Sequence, residues 1–306
     1  MLNFLIFVHY VGNNMKRTTK HTVSPLAILT GDWHLREDQP VSRTDNFQAA
    51  QWRKVAFISE LQRRHKCPVI HAGDLFHHWK PSPWLLSKAI KHLPANFYTV
   101  YGNHDLPQHN LELAEKSGIN VLVEAGAIRL LNNTHWLQEP QPCHLGEEMN
   151  ERMLIWHVMT WKGNPPYPGC TDADAFRLLR KYPEYDLIHT GHNHGSFTAH
   201  VDDRVLVNAG LITRQTADQA DQTPHVYLWY GRGVVEKVEL PHEKGVISRE
   251  HIEQKKERDD RIDAFVSRLD NEFDAAISFE ENMERFLAQN KVRESVRQIV
   301  QNAINQ

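Results

Sequence analysis

The chain has 306 residues, 41% of them hydrophobic and 24% charged, the composition of a globular protein with a real core and no low-complexity tract. Its formal net charge of -3 excludes global basicity as a way of meeting a polyanion, which would have to be met by local positive charge or by metal ions. Cys67, Cys143 and Cys170 are too few and too widely spaced for a disulfide framework or a thiolate zinc site, and they suit a reducing, cytoplasmic compartment. Histidine, at 20 residues, is well above its usual share, and it is the commonest metal ligand.

The first apolar run, Leu2 to Val11, is shorter than the roughly 20 residues that span a bilayer. It also lacks a basic flank and a small-residue cleavage site, so it reads as neither a membrane helix nor a signal peptide. Residues 1–24, with a second methionine at Met15, are expected to be either an inconsequential extension or an extra edge strand.

From Pro25 onward, short apolar runs alternate with helical patterns. LAILT (26–30), PVIHA (68–72), NFYTVY (96–101), MLIWH (153–157) and YDLIHT (185–190) have the length and flanking turn residues of buried strands. Phe47, Ala50, Val55, Ile58 and Leu61 recur at helical spacing between the first two, and SPWLLSKAIKHL is a shorter helix opened by Pro83. Such alternation predicts an α/β core over residues 25–242 with helices covering its sheets. RVLVNAG, HVYLWY and VVEKVEL, between 204 and 240, alternate like antiparallel strands and are expected to close a second sheet. Residues 243–306 are charge-rich and helical.

Five predicted strands end in polar residues of metal-ligating type: Asp32 and His34; Asp74, His77 and His78; Asn103, His104 and Asp105; His157; His192 and His194. The carboxyl ends of strands are where α/β folds place their sites. In Asp-x-His and His-x-His the two side chains of an extended segment point the same way, so each pair can grip one ion or two adjacent ions. Oxygen and imidazole donors without thiolate favour Mn2+, Fe or Zn2+. A carboxylate such as Asp74 can bridge two ions about 3.5–4 Å apart, the arrangement that serves in-line displacement at phosphorus.

The series Asp-x-His, Gly-Asp, Gly-Asn-His-Asp, His, Gly-His-x-His, from about Leu26 to Leu240, resembles the calcineurin-like metallophosphoesterase superfamily. The resemblance implies a four-layer sandwich, two mixed β-sheets flanked by helices, with a C-terminal α-helical extension. It also implies two divalent ions, Mn2+ foremost with Fe, Zn2+ or Mg2+ as alternatives. One ion would sit on Asp32, His34, Asp74 and His194, the other on Asp74, Asn103, His157 and His192, with a hydroxide between them. His104 would then stabilise the transition state or protonate the leaving oxygen, with Asp105 orienting it. The block GDLFHHWKPS is similar to that of the SbcD-type DNA double-strand-break repair nucleases, a resemblance that implies for His77 a role at the scissile phosphate or in positioning the DNA strand. Trp79 and Lys80 beyond it are candidate substrate contacts by stacking and charge, while His78 reads as an exposed neighbour. VNAG (207–210) is similar to the family's closing Asn-Pro-Gly-Ser turn, with Ala209 and Leu211 as departures.

In the tail, Ile262, Phe265, Val266, Leu269, Phe273 and Ile277 form one apolar stripe. Ser278 and Glu281 then read as a capping box opening a second helix that carries Phe286, Leu287, Val292, Val296, Ile299 and Val300. These helices either pack back on the catalytic domain or, as the resemblance implies, dock an SbcC-like coiled-coil ATPase. About 60 residues after Pro241 are too few for the family's full capping domain plus a partner-binding region. The expectation is a DNA exo/endonuclease that is not membrane-bound, with its oligomeric state open although the nuclease relatives are commonly dimers. The alternatives are a small-molecule phosphodiesterase and, disfavoured by so many ligand-type side chains in register, a non-catalytic scaffold.

Overall fold

The computed structural model describes residues 24–131, 151–165, 168, 170, 174–272 and 278–304. Leu2 to Val11, Met15 and Cys143 lie outside them, as do Phe273 and Ile277. The chain forms two compact units. The first comprises the described parts of Met1–Glu37, Gln48–Thr213 and Thr223–His242, and the second Asp38–Phe47, Arg214–Gln222 and Glu243–Gln306.

In the first unit, β1 (Ala27–Thr30), β2 (Val69–His71), β3 (Phe97–Thr99) and β4 (Arg129–Leu130) pair in parallel, β1 next to β2, β2 next to β3 and β3 next to β4. Every residue of β1 and β2 is buried, which is what a parallel sheet covered on both faces requires of its sequence. A second sheet holds β5 (Met153–Trp156), β6 (Leu187–Thr190), β7 (Phe197–Val201) and β8 (Arg204–Asn208) in the order β5-β6-β8-β7, with only β7 antiparallel.

Of the three segments between 204 and 240, contrary to expectation, only RVLVNAG enters the second sheet. β9 (His225–Trp229) lies antiparallel to β1, and β10 (Val235–Glu239) antiparallel to β9, so both extend the first sheet to the order β10-β9-β1-β2-β3-β4. Alternation marks a strand but carries no information about its partner.

Successive residues of each strand serve opposite faces. Leu29, Ile70, Ile155, Val207 and Trp229 fill the core between the sheets. Ile28, Val69 and Phe97 face outward against Val55 and Ile58 of α1 (Phe47–His65) and Leu85 of α2 (Pro83–His92). On the other side, Leu154, Ile188 and Leu206 pack with Leu178 and Leu179 of α4 (Ala175–Lys181), a short helix that follows α3 (Gly118–Glu124) in the chain. Each such aliphatic side chain contributes roughly 1.5–3 kcal/mol of burial. Three cores between four layers make the expected sandwich. The helix starts are set locally: Ser82 Oγ accepts Leu85 N–H at 3.2 Å ahead of Pro83 at the first turn.

In the second unit, Arg43 binds both carboxylate oxygens of Asp45 and donates to the Arg214 carbonyl at 2.9 Å, tying together segments distant in sequence. Three helices follow, α5 (Glu250–Glu272), α6 (Phe279–Gln289) and α7 (Glu294–Ile304). The capping box of Ser278 and Glu281 is formed, but the helix it opens stops at Gln289. What reads as one second helix is therefore two, with Val292 in the break. Among the described residues no helix is long and apolar enough to cross a membrane.

Candidate metal centre

The carboxyl ends of β1, β2, β3, β5 and β6 deliver the ligand-type residues. Asp32 and His34 follow β1, Asp74 and His77 follow β2, Asn103 to Asp105 follow β3, His157 follows β5, and His192 and His194 follow β6. Nine described non-glycine residues have positive φ, and four of them are Asp32, His34, Asp74 and His192. L-residues avoid this region unless their surroundings over-determine it, and such strain gathers at functional sites.

The side chains form two groups that meet at one carboxylate. Asp74 Oδ2 lies 3.5 Å from His34 Nε2 and 3.3 Å from His157 Nε2. On the first side, His34 Nε2 stands 3.2 Å from His194 Nε2, and ligand atoms of Asp32, His34 and His194 all lie within 4.8 Å of one another. On the second, Asn103 Oδ1 is 3.1 Å from His157 Nε2 and 3.0 Å from His192 Nδ1, and Asp74, His157 and His192 make another group of the same span. All seven side chains named as ligands by the resemblance are thus brought together. A third group, His34, His77 and His104, adjoins them, with ring centroids 4.7 Å apart for His34 and His104 and 5.6 Å for His77 and His104.

The loops are held by an inner layer of hydrogen bonds. Asp105 does not orient His104 as expected: its carboxylate accepts backbone N–H groups of Asp74 (2.8 Å), Leu75 (3.3 Å), Phe76 (3.2 Å) and Gly102 (3.0 Å), clamping the loop that carries Asp74. His104 is oriented instead by its Nδ1 against the His77 carbonyl at 2.7 Å, and its N–H donates to Asp74 Oδ1 at 2.8 Å. His157 Nδ1 is held by the Ala72 carbonyl at 2.7 Å, which leaves Nε2 to face Asp74. Glycine is required at 102, where a Cβ would collide with the Asp74 carboxylate and backbone.

Electrostatics bind the two groups together. Burial by itself would raise Asp74, but His157, His34 and His104 around it outweigh burial and hold the carboxyl well below the usual range. Burial raises Asp32 to about 8, with His157 opposing and Asp74 adding to the rise. His157, which burial would lower, is lifted to about 9 by Asp74. Burial pushes His192 down to about 4 and His34 well below its ordinary value.

This donor set fits divalent cations. Asp32 Oδ2 is buried without a hydrogen-bond partner among the described residues, and a buried carboxylate oxygen left so is costly unless a cation meets it. Carboxylate, amide and imidazole donors without thiolate are those of manganese, iron or zinc.

A pH dependence follows. In the metal-free protein Asp32 and His157 hold protons in the folded state at pH values where the unfolded chain has released them. Their stabilisation is therefore complete below the unfolded values and lost as pH rises through about 8 and about 9. We expect the melting temperature in chelator to be roughly 5–10 °C lower at pH 9 than at pH 7. Added Mn2+ should reverse the trend, because ligands bind metal deprotonated. A scan showing the same melting temperature at both pH values would contradict these assignments.

Trp79 and Lys80 are not brought into these groups by the contacts they make. The Trp79 ring lies against His78, its carbonyl accepts Gly118 N–H at 2.8 Å, and Lys80 is exposed with its N–H on His78 Nδ1. His78 is exposed, as read. Sequence reasoning missed Asn208, whose Nδ2 donates to the carbonyls of Asn193 and Gly195 at 2.6 Å each and so fixes the loop of His192 and His194. Its signal was the VNAG turn. It also missed His189, buried below the site with ring nitrogens 3.0 Å from the Val207 carbonyl and 2.9 Å from the Thr30 carbonyl.

The profile of the calcineurin-like phosphoesterase family matches residues 27–196. The chain belongs to this family of metallophosphoesterases. No curated protein matches it. Among solved structures it is similar to an archaeal phosphodiesterase, at 14% identity over 70% of this chain and 99% of that one, with a TM-score of 0.39. It is also similar to vacuolar protein sorting 29 from Cryptosporidium parvum, at 18% identity, 72% and 100% coverage and a TM-score of 0.36. A single-substitution variant of Vps29 from Entamoeba histolytica stands at 14% identity, 70% and 99% coverage and the same TM-score, 0.36.

Proposed function

We propose that this metallophosphoesterase is a DNA nuclease hydrolysing phosphodiester bonds, with Asp32, His34, Asp74 and His194 holding one divalent ion and Asp74, Asn103, His157 and His192 a second. The observation that carries the reading is the placement of Asp74 between both ligand groups with His104 and His77 beside them. When bound, the ions, with Mn2+ preferred, supply the Lewis acidity and the acidified water that phosphoester hydrolysis needs. The protein's own groups do the positioning and the proton transfer. His104 Nδ1–H donates to the His77 carbonyl, so Nε2 of the imidazolium is the nitrogen that gives a proton to the leaving oxygen. The SbcD-like block carrying His77 supports DNA as the substrate.

For the tail we propose the docking of an SbcC-like coiled-coil ATPase, and for the whole chain a dimer acting in DNA repair or phage DNA metabolism in the cytoplasm. Exposed Ile262, Val296 and Ile299 on α5 and α7 support a protein contact there. The test of the reading is degradation of end-labelled linear DNA, single- and double-stranded. Loss of label that depends on Mn2+ and stops in chelator is the expected result. Intact DNA alongside brisk metal-dependent hydrolysis of bis(p-nitrophenyl) phosphate would assign the chain to small phosphodiesters instead.

A further inference from the structure

A cleft of about 530 Å³ in the first unit is lined by residues of both edge strands, β7 of one sheet and β10 of the other. It starts at Ser196, two residues beyond the candidate ligand His194. Ser196 is hydrogen-bonded to His225, on the end of β9 that lies beside the site-bearing end of β1. Nothing in the metal centre uses this cleft.

Beneath it runs a closed hydrogen-bond chain. His225 Nδ1 stands 2.6 Å from the Thr223 carbonyl, so that nitrogen carries the proton, and Nε2 accepts from the Ser196 hydroxyl. The Tyr227 hydroxyl, 2.8 Å from Ser196 Oγ, then donates to it. Burial, assisted by Lys237, pushes His225 down to about 4, so the floor is neutral at physiological pH.

All the formal charge is therefore on the walls, and all of it is positive. Lys162 and Lys237 line the cleft, and none of the described residues lining it is acidic. Lys162 Nζ is anchored on the Thr198 carbonyl at 2.8 Å, which positions the ammonium and leaves two of its three N–H groups for a ligand. Phe197 and Tyr227 add aromatic surface to its lining. In a chain with a net charge of -3, this is local positive charge of the kind a polyanion needs.

We propose that the cleft is a phosphate subsite in which Lys162 and Lys237 hold a phosphate of the substrate strand flanking the bond that is cut. The identity of that strand as DNA rests on the nuclease reading above; the demand for a phosphate rests on the cleft itself. The lysines are positioning residues and touch no reacting atom.

The test compares wild type with the Lys162→Ala/Lys237→Ala double variant in two arms. In chelator, anisotropy of a labelled single-stranded oligonucleotide is titrated at several salt concentrations. The variant is expected to bind about tenfold more weakly, with the salt slope flatter by about 0.7 because one phosphate fewer is neutralised. With Mn2+, KM for the oligonucleotide should rise with kcat unchanged, and hydrolysis of bis(p-nitrophenyl) phosphate, which has no second phosphate, should not move. Unaltered oligonucleotide affinity in the variant, or a wild type that does not bind the oligonucleotide, would overturn the proposal. So would an equal loss of affinity for inorganic phosphate, which would make the cleft a pocket for free anions. A wild type that binds DNA through these lysines but cuts none would support the subsite and count against the nuclease reading.

Discussion

Asp74→Asn is expected to lower phosphodiester turnover on the order of 10³-fold and to abolish binding of at least one of the two proposed metal ions. Asp74 is the carboxylate that stands within 3.5 Å of an imidazole from each ligand group, so its charge serves both sides of the site at once. Asparagine keeps the shape and keeps an oxygen for the N–H of His104, which Asp74 Oδ1 accepts at 2.8 Å, so the loop is retained while the charge is removed. The loss of charge also releases His157, whose elevation to about 9 depends on Asp74. Metal content after desalting and initial rates on bis(p-nitrophenyl) phosphate are the readouts. Full metal content with near wild-type rates would contradict a bridging role.

His104→Ala is expected to do something different: a fall in kcat of about 10²–10⁴-fold with metal content unchanged. Its ring is half-buried at the edge of the two ligand groups and is held by the His77 carbonyl rather than by a carboxylate. Removing it deletes a proton donor and leaves the seven ligand side chains in place. A variant that instead loses metal would place His104 in the ligand set with His34 and His77, a group whose nitrogens lie close enough together for it. Comparing the two variants in one preparation separates holding the ions from using them.

How much of this can be read in the sequence depends on where the physics is local. β1, β2, β5 and β6 are apolar runs wholly or almost wholly buried between layers, so their existence and the polar residues at their ends are both visible in order. The sheet to which β9 and β10 belong is not visible, because a pleat period is the same whatever strand lies alongside. β7 escapes notice altogether: it is an edge strand whose mixed burial leaves no clean alternation. The tail shows the limit in another way. The capping box at Ser278 is a local hydrogen-bond exchange and is legible, whereas the stop at Gln289 has neither glycine nor proline to announce it.

At the site, the extended geometry expected of Asp-x-His and His-x-His does not form, since Asp32, His34 and His192 have positive φ, but the ligand types and their order are legible. The supporting layer is not. Asp105 works on backbone N–H groups that every residue but proline possesses, and no side-chain pattern marks them. Its adjacency to His104 in sequence invites the assumption that it orients that ring, and the loop folds so that it faces the other way. Asn208 acts on two carbonyls in the same manner.

As proposed, Asp74 joins two metal sites into one. The most direct measurement is electron paramagnetic resonance of protein reconstituted with Mn2+, titrated to two equivalents. An exchange-coupled signal from a manganese pair is expected, replaced by the spectrum of isolated Mn2+, or by none, in Asp74→Asn. Two equivalents giving only isolated Mn2+ in the wild type, or a coupled signal that persists in Asp74→Asn, would contradict it.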